Sequence, residues 1–265
     1  MAEFTDPYLD PATGQLRNQL GATTRAELDA AEGALTFARA VELGDTPAPA
    51  TGDLAEFRAI HRHLFQDVYE WAGELRTVDL RKNVAGAEHF LPVSMIDRAA
   101  GFAADELRSD GMLRGMPRDR FVDRLSYHYD QWNYIHPFRE GNGRTQRLFW
   151  NRVAADAGWN LDWRSVQGAV NDAASRAAAE SRDFGPLRAM FDQIVTERDD
   201  RDRRDVDRLG LRPPGLDPTD AARIAGMDTP TPPRAASPRG RGPADYGSSQ
   251  MRRGPSIDPG QGLGR

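Results

Sequence analysis

Apolar residues recur along most of this chain at steps of three and four, the spacing of helices that bury one face. Thr23 or Thr24 can cap the first, with Glu27 three residues after Thr24 completing a capping box and Leu28, Ala31, Leu35 and Ala38 as its apolar stripe. A Pro/Ala/Thr loop over residues 44–52 follows. Asp53 then opens a helix carrying Leu54, Phe57, Ile60, Leu64 and Val68, which ends at Trp71-Ala72-Gly73. The pattern returns over about Ser94 to Asp110, with Ser94 as cap and Ile96, Ala100, Phe102 and Leu107 as the apolar face. Pro117 fits a first helical position, and Phe121, Leu125, Tyr129, Trp132 and Ile135 make the next face. Arg144 to Ala157 reads as helix with Gly158 as its stop. Another segment runs from Leu161-Asp162-Trp163 to about Ala179, and a last helix carries Leu187, Met190, Phe191 and Ile194.

One stretch breaks this period. Leu75 to Leu80 alternates apolar and polar residues, Lys82-Asn83-Val84-Ala85-Gly86 supplies turn chemistry, and His89-Phe90-Leu91-Pro92 extends again, which predicts a short β-hairpin. Residues 6–21 are rich in turn formers and should lie extended over the core. From about residue 196 a mixed-charge run gives way to proline, glycine, serine and arginine, with too few large apolar residues to bury, so residues 199–265 are expected to be disordered when unbound. The expected fold is an all-α bundle with a small hairpin. Residues 1–45 form a lead-in and a helix packed on the core, and 46–198 form the main domain.

Charge and composition narrow the chemistry. A net charge of -5 gives no electrostatic reason to expect nucleic-acid or membrane binding. There are no cysteines, which excludes disulfides and thiolate metal sites and fits a reducing compartment. Neither a signal-like N-terminus nor a membrane-length apolar run is present, so a cytoplasmic location is expected, with secretion into a host cell left open. His61 and His63, two apart on a helix, point to different faces and make a poor metal pair.

The densest chemistry lies in His136-Pro137-Phe138-Arg139-Glu140-Gly141-Asn142-Gly143-Arg144-Thr145-Gln146-Arg147. Gly141-Asn142-Gly143 can present backbone amides to an anion at the start of a helix, where the dipole favours negative charge. Arg144 and Arg147, three apart, share a helix face and can both reach phosphate oxygens. His136 titrates near neutrality, and Glu140 is a hard oxygen donor suited to magnesium.

This string resembles the signature of the Fic family, His-Pro-Phe-x-Asp/Glu-Gly-Asn-Gly-Arg-x-x-Arg, with no position missing. The Leu-Arg-Asn-Gln-Leu-Gly lead-in at 16–21 and the Phe-Gly-Pro-Leu element at 184–187 also resemble Fic proteins, the former those of toxin type. The resemblance implies a Fic-type helical bundle that moves AMP from ATP onto a hydroxyl of a target protein. It assigns His136 as general base and Glu140 as the ligand of Mg2+ bridging the α- and β-phosphates. Gly141, Asn142 and Gly143 stabilise the α-phosphate, and Arg144 and Arg147 pair with the β- and γ-phosphates. The hairpin becomes a flap over the site, where Thr77, Val78, Asp79, Leu80, Glu88, His89 and Phe90 dock the target by main-chain pairing. Relatives that transfer phosphate or phosphocholine depart from Gly-Asn-Gly-Arg, so AMP transfer is favoured here; a phosphotransferase and a catalytically silent ATP-binding module are the alternatives.

Many Fic proteins carry an inhibitory Ser/Thr-x-x-x-Glu-Gly/Asn helix. Here Glu32-Gly33 is preceded by Leu28, and Ser175 stands five residues before Glu180, so neither fits. The resemblance then implies a separate small antitoxin whose glutamate reaches Arg147, making the chain the toxin of a pair. DNA gyrase and topoisomerase IV are the targets implied by analogy.

Overall fold

The computed structural model describes residues 6–80, 90–166 and 168–198. The turn of the expected hairpin, with Glu88 and His89, and the expected disordered tail lie outside the described residues.

The first helix, α1 (Arg25–Asp45), starts as expected: Thr24 accepts a hydrogen bond from the Glu27 amide, and Glu27 accepts from the Thr24 amide. Its buried stripe differs from the expected one. Leu28, Glu32, Thr36 and Ala40 face inward, whereas Ala38 is exposed. Two polar residues occupy the inner face because a buried arginine from another helix meets them there. In α2 (Leu54–Phe65), Asp53 caps the amides of Ala55 and Glu56, and Phe57, Ile60, Leu64 and Phe65 are buried.

Beyond the site-bearing loops, α3 (Ile96–Ser109) begins after a single 3-10 turn over Val93–Met95, so Ser94 lies inside that turn and caps nothing. The buried face of α3 is Ile96, Ala100, Ala103, Ala104 and Leu107. Phe102, six positions after Ile96 and so about 240° further round, is 61% exposed, which corrects its expected place in the core. Pro117 caps α4 (Arg118–Ile135) from just outside rather than as its first residue. Helix α5 (Asn142–Ala157) starts two residues before the expected Arg144 and stops at Gly158, whose φ is 92°.

The segment expected from Leu161 to about Ala179 is not one element. It opens as strand β1 (Trp159–Leu161), followed by a 3-10 turn at Trp163–Ser165 and by α6 (Gly168–Ser181). Helix α7 (Gly185–Ile194) runs straight into β2 (Val195–Glu197), which pairs antiparallel with β1 in the register Trp159↔Glu197, Leu161↔Val195. Strands of three residues are too short to show a period, and their partners are distant in sequence.

Helix α4 packs against α3, α5, α6 and α7 and carries the centre of the core. Trp132 stacks on Phe57 at 3.9 Å between ring centroids, and Phe121, Phe138, Phe149 and Phe191 are fully buried around it. No helix among the described residues is long and apolar enough to cross a membrane.

Candidate active site

The site forms where α4 ends and α5 begins. His136 stops α4 by adopting a left-handed conformation, φ 46° and ψ 62°, while its amide still donates to the Trp132 carbonyl at 3.1 Å. A histidine held there costs on the order of 1 kcal/mol and persists only where its surroundings impose it. Two neighbours do so. The Arg76 Nε donates to the His136 carbonyl at 2.8 Å, and the Phe90 ring lies parallel to the imidazole at 3.7 Å. Phe138 turns inward, fully buried, and stacks on His61 at 3.9 Å.

The loop closes on itself at Asn142. Its Oδ1 accepts from the Phe138 amide at 2.9 Å and its Nδ2 donates to the Phe138 carbonyl at 2.8 Å. Both ends of this side chain therefore shape the loop. Gly141 is left-handed at φ 78°, and a Cβ there would lie 2.3 Å from the Phe65 ring. Asn142 and Gly143 already belong to α5, so the first amides of a 16-residue helix open beside His136. The first amides of a helix and the positive end of its dipole make such an end favourable to an anion.

Glu140 lies between these parts. Its carboxylate accepts from the Gly141 amide at 2.9 Å, and its backbone carbonyl accepts from His61 Nε2 at 3.0 Å. Burial, and then the negative charge of Glu32, hold the Glu140 carboxyl well above the usual carboxylate range, with Arg144 opposing them. His61 is itself buried, which pushes it down to about 3 and keeps it neutral. Its Nδ1 accepts from the Gly73 amide at 2.8 Å, so the proton sits on Nε2, aimed at Glu140.

The two arginines expected to share a face go to different neighbours. Arg144 is 1% exposed, pairs with Glu32 of α1, and lies 4.7 Å over the Phe65 ring. Arg147 is fully buried with its guanidinium 5.5 Å over the Trp163 ring. Arg139, between the signature positions, is tied to Asp6 at 2.8 Å.

Arg76 organises the flap side and was missed as a functional residue. Nearly all of it is buried, and it donates to the carbonyls of His136, Val78, Leu91 and Ile135, while its amide donates to the Pro137 carbonyl. Of the expected flap, Thr77 to Leu80 forms no strand but bends at Thr77–Val78. The Thr77 amide donates to the Tyr8 hydroxyl at 3.0 Å, and Val78 is buried. Asp79 accepts from the Val93 amide at 2.8 Å, and the Phe90 amide donates to the Leu80 carbonyl at 3.0 Å. Leu80 and Phe90 thus meet through this bond, with the Phe90 ring against His136. Only the alternation hinted at Arg76; Glu32 stood out only as a failed match to the inhibitory motif, and nothing local marked His61 as part of the site.

Comparison with known proteins places this geometry. The sequence profile of the Fic/DOC family matches residues 51–154. The protein adenylyltransferase VbhT of Bartonella schoenbuchensis is 39% identical over 176 residues, 66% of this chain but only 36% of the length of VbhT. The Escherichia coli K12 protein named "Probable protein adenylyltransferase Fic" is 34% identical over 197 residues, spanning 74% of this chain and 94% of that one. Among solved structures, the N-terminal Fic domain of a VirB-translocated Bep effector of Bartonella quintana, with bound ADP, superposes with a TM-score of 0.68 at 26% identity, covering 73% of this chain and 96% of that one. With a relative matched over nearly its whole length and the signature loop folded beside a helix N-terminus, the chain belongs to the Fic/DOC family.

Proposed function

We propose that this chain is a protein adenylyltransferase: it moves AMP from ATP to a serine, threonine or tyrosine hydroxyl of a target protein. The observation that carries this reading is the placement of His136, held left-handed at the end of α4, next to the amide-bearing start of α5. A triphosphate seated on those amides brings its α-phosphorus near the imidazole. His136 takes the proton of the incoming hydroxyl, the hydroxyl oxygen bonds to the α-phosphorus, and the bond to the β-phosphate oxygen breaks in line, releasing pyrophosphate. The amides around Gly141, Asn142 and Gly143 stabilise the charge gained by the α-phosphate oxygens. Arg144 and Arg147 complete the positive lining on the β- and γ-phosphate side, both from buried positions.

Glu140 is the residue that would hold magnesium. Among the described residues no group of three or more His, Asp or Glu is arranged for a metal. A single carboxylate suits a magnesium ion carried mainly by phosphate and water oxygens. Bound there, the ion would neutralise phosphate charge. The side of the flap formed by Thr77, Val78, Asp79, Leu80 and Phe90 would hold a target segment in an extended register, with Glu88 and His89 continuing it.

The resemblance of the 16–21 lead-in to toxin-type Fic proteins supports a toxin role, with a small antitoxin approaching Arg147 with a glutamate; DNA gyrase and topoisomerase IV are the first targets to assay. The test uses purified protein, α-32P-ATP, magnesium and a bacterial lysate beside His136→Ala. Label on a discrete protein that falls by about 10²–10⁴-fold in the variant supports the reading. Transfer from γ-32P-ATP instead would assign a phosphotransferase. Retained ATP binding without either label would leave a binding module. Growth arrest on expression, relieved by His136→Ala, is the check on toxicity.

A further inference from the structure

The inner stripe of α1 brings a carboxylate into the site that the reaction scheme does not use. Glu32 is 5% exposed, and both of its oxygens are engaged: Oε2 accepts from the Tyr69 hydroxyl and Oε1 from Nη2 of Arg144. A carboxylate buried this deeply persists only with such partners, and removing its charge leaves the opposite charge unpaired. Arg144 has two further supports, Thr36 Oγ1 at 3.4 Å from Nη1 and the Phe65 ring. The Nη2 that holds Glu32 also lies 3.7 Å from Glu140 Oε1, too far for a charge-assisted hydrogen bond.

One guanidinium therefore stands between two carboxylates, and the nearer one, from α1, holds it. Glu140 stands just ahead of α5 and Arg144 in its first turn, and the 3.7 Å gap between them is one that a small side-chain shift closes. Without the charge on Glu32, Glu140 is an anion within reach of Arg144, 3.7 Å from the same nitrogen. We infer that Glu32 is a positioning residue: by anchoring Arg144 it keeps Glu140 out of a closed ion pair and available to a cation. This rests on the reading that Glu140 holds magnesium. It also differs from blockade of the phosphate site, since Glu32 acts on the carboxylate side and promotes the reaction rather than opposing it.

The test compares wild type, Glu32→Gln and the double variant Glu32→Gln/Arg144→Gln. Two quantities are read: the magnesium concentration giving half-maximal AMP transfer, and the increment that magnesium adds to the melting temperature in the presence of AMPPNP. Groups that orient a metal ligand typically change affinity or activity by about 10–100-fold when lost. Glu32→Gln should therefore raise the half-saturating magnesium by about tenfold or more and shrink the melting increment. In the double variant that guanidinium is gone, so the increment that magnesium adds over AMPPNP alone should be larger than in Glu32→Gln, whatever AMPPNP affinity is lost with Arg144. A folding role for Glu32 predicts no such suppression, because the second substitution only removes another buried contact. A wild-type magnesium response in Glu32→Gln, or a double variant as insensitive as the single, would overturn the inference. So would tighter AMPPNP binding by Glu32→Gln, which would make Glu32 a competitor of phosphate. If wild type transfers no AMP, the functional reading fails separately, and the melting increments still decide the role of Glu32.

Discussion

At Gly141 two constraints coincide: a left-handed backbone, and a Phe65 ring 2.3 Å from where a Cβ would be. Gly141→Ala should cost about 1–2 kcal/mol for the backbone and about 1–3 kcal/mol for the displaced ring. Adding Phe65→Leu should recover the steric part alone, which denaturant unfolding of both variants will resolve. His61 makes a second prediction, on pH. Neutral in the fold and held down to about 3, it makes stability fall as pH drops below its ordinary value, by ~1.4 kcal/mol per pH unit, until the folded value is reached. Glu140, its carboxyl raised by burial, works in the opposite sense, losing its contribution as pH rises. The clean measure is thus the difference between wild type and His61→Gln, whose acid limb should be shallower. Residues such as His136, Glu140 and Gly141 were legible because their order is a signature. Glu32, His61 and Arg76 were not, because a buried polar residue looks in sequence like an exposed one until its partner is known.

Among the elements, the helices were readable from their apolar spacing, and the capping box of α1 formed as written. The errors have physical causes. Phe102 is apolar yet lies off the stripe of α3, and α1 turns Glu32 and Thr36 inward because Arg144 waits there. Strands β1 and β2 gain their identity only from each other. The surroundings of His136 depend on a single guanidinium: Arg76 serves four carbonyls from three separate stretches of chain. Arg76→Met should leave several of these unsatisfied and cost at least ~3 kcal/mol, given ~1–3 kcal/mol for each buried group that loses its partner. Arg76→Lys should restore little, since an ammonium lacks the planar fork. Melting temperatures of both variants check this.

For the molecule as a whole, the buried apolar cluster runs without a break from Leu28 and Ala40 of α1 to Val195 at the start of β2. The lead-in helix and the main domain, separable by sequence pattern, share that core. Calorimetry should accordingly show one transition over the described region, with calorimetric and van't Hoff enthalpies in agreement; an early separate transition for α1 would contradict it. The ties that shape the site also bear on how the chain acquires activity in time. Asp6 reaches Arg139 across 133 positions, Glu32 reaches Arg144 across 112, and His61 reaches Glu140 across 79, whereas each helix forms through contacts a few residues apart. Closing loops of that length precedes any reward from the contacts they bring, so such contacts form late. A newly made chain would pass through a stage that is largely helical yet chemically idle, and the ability to react would arrive with the last long-range closures.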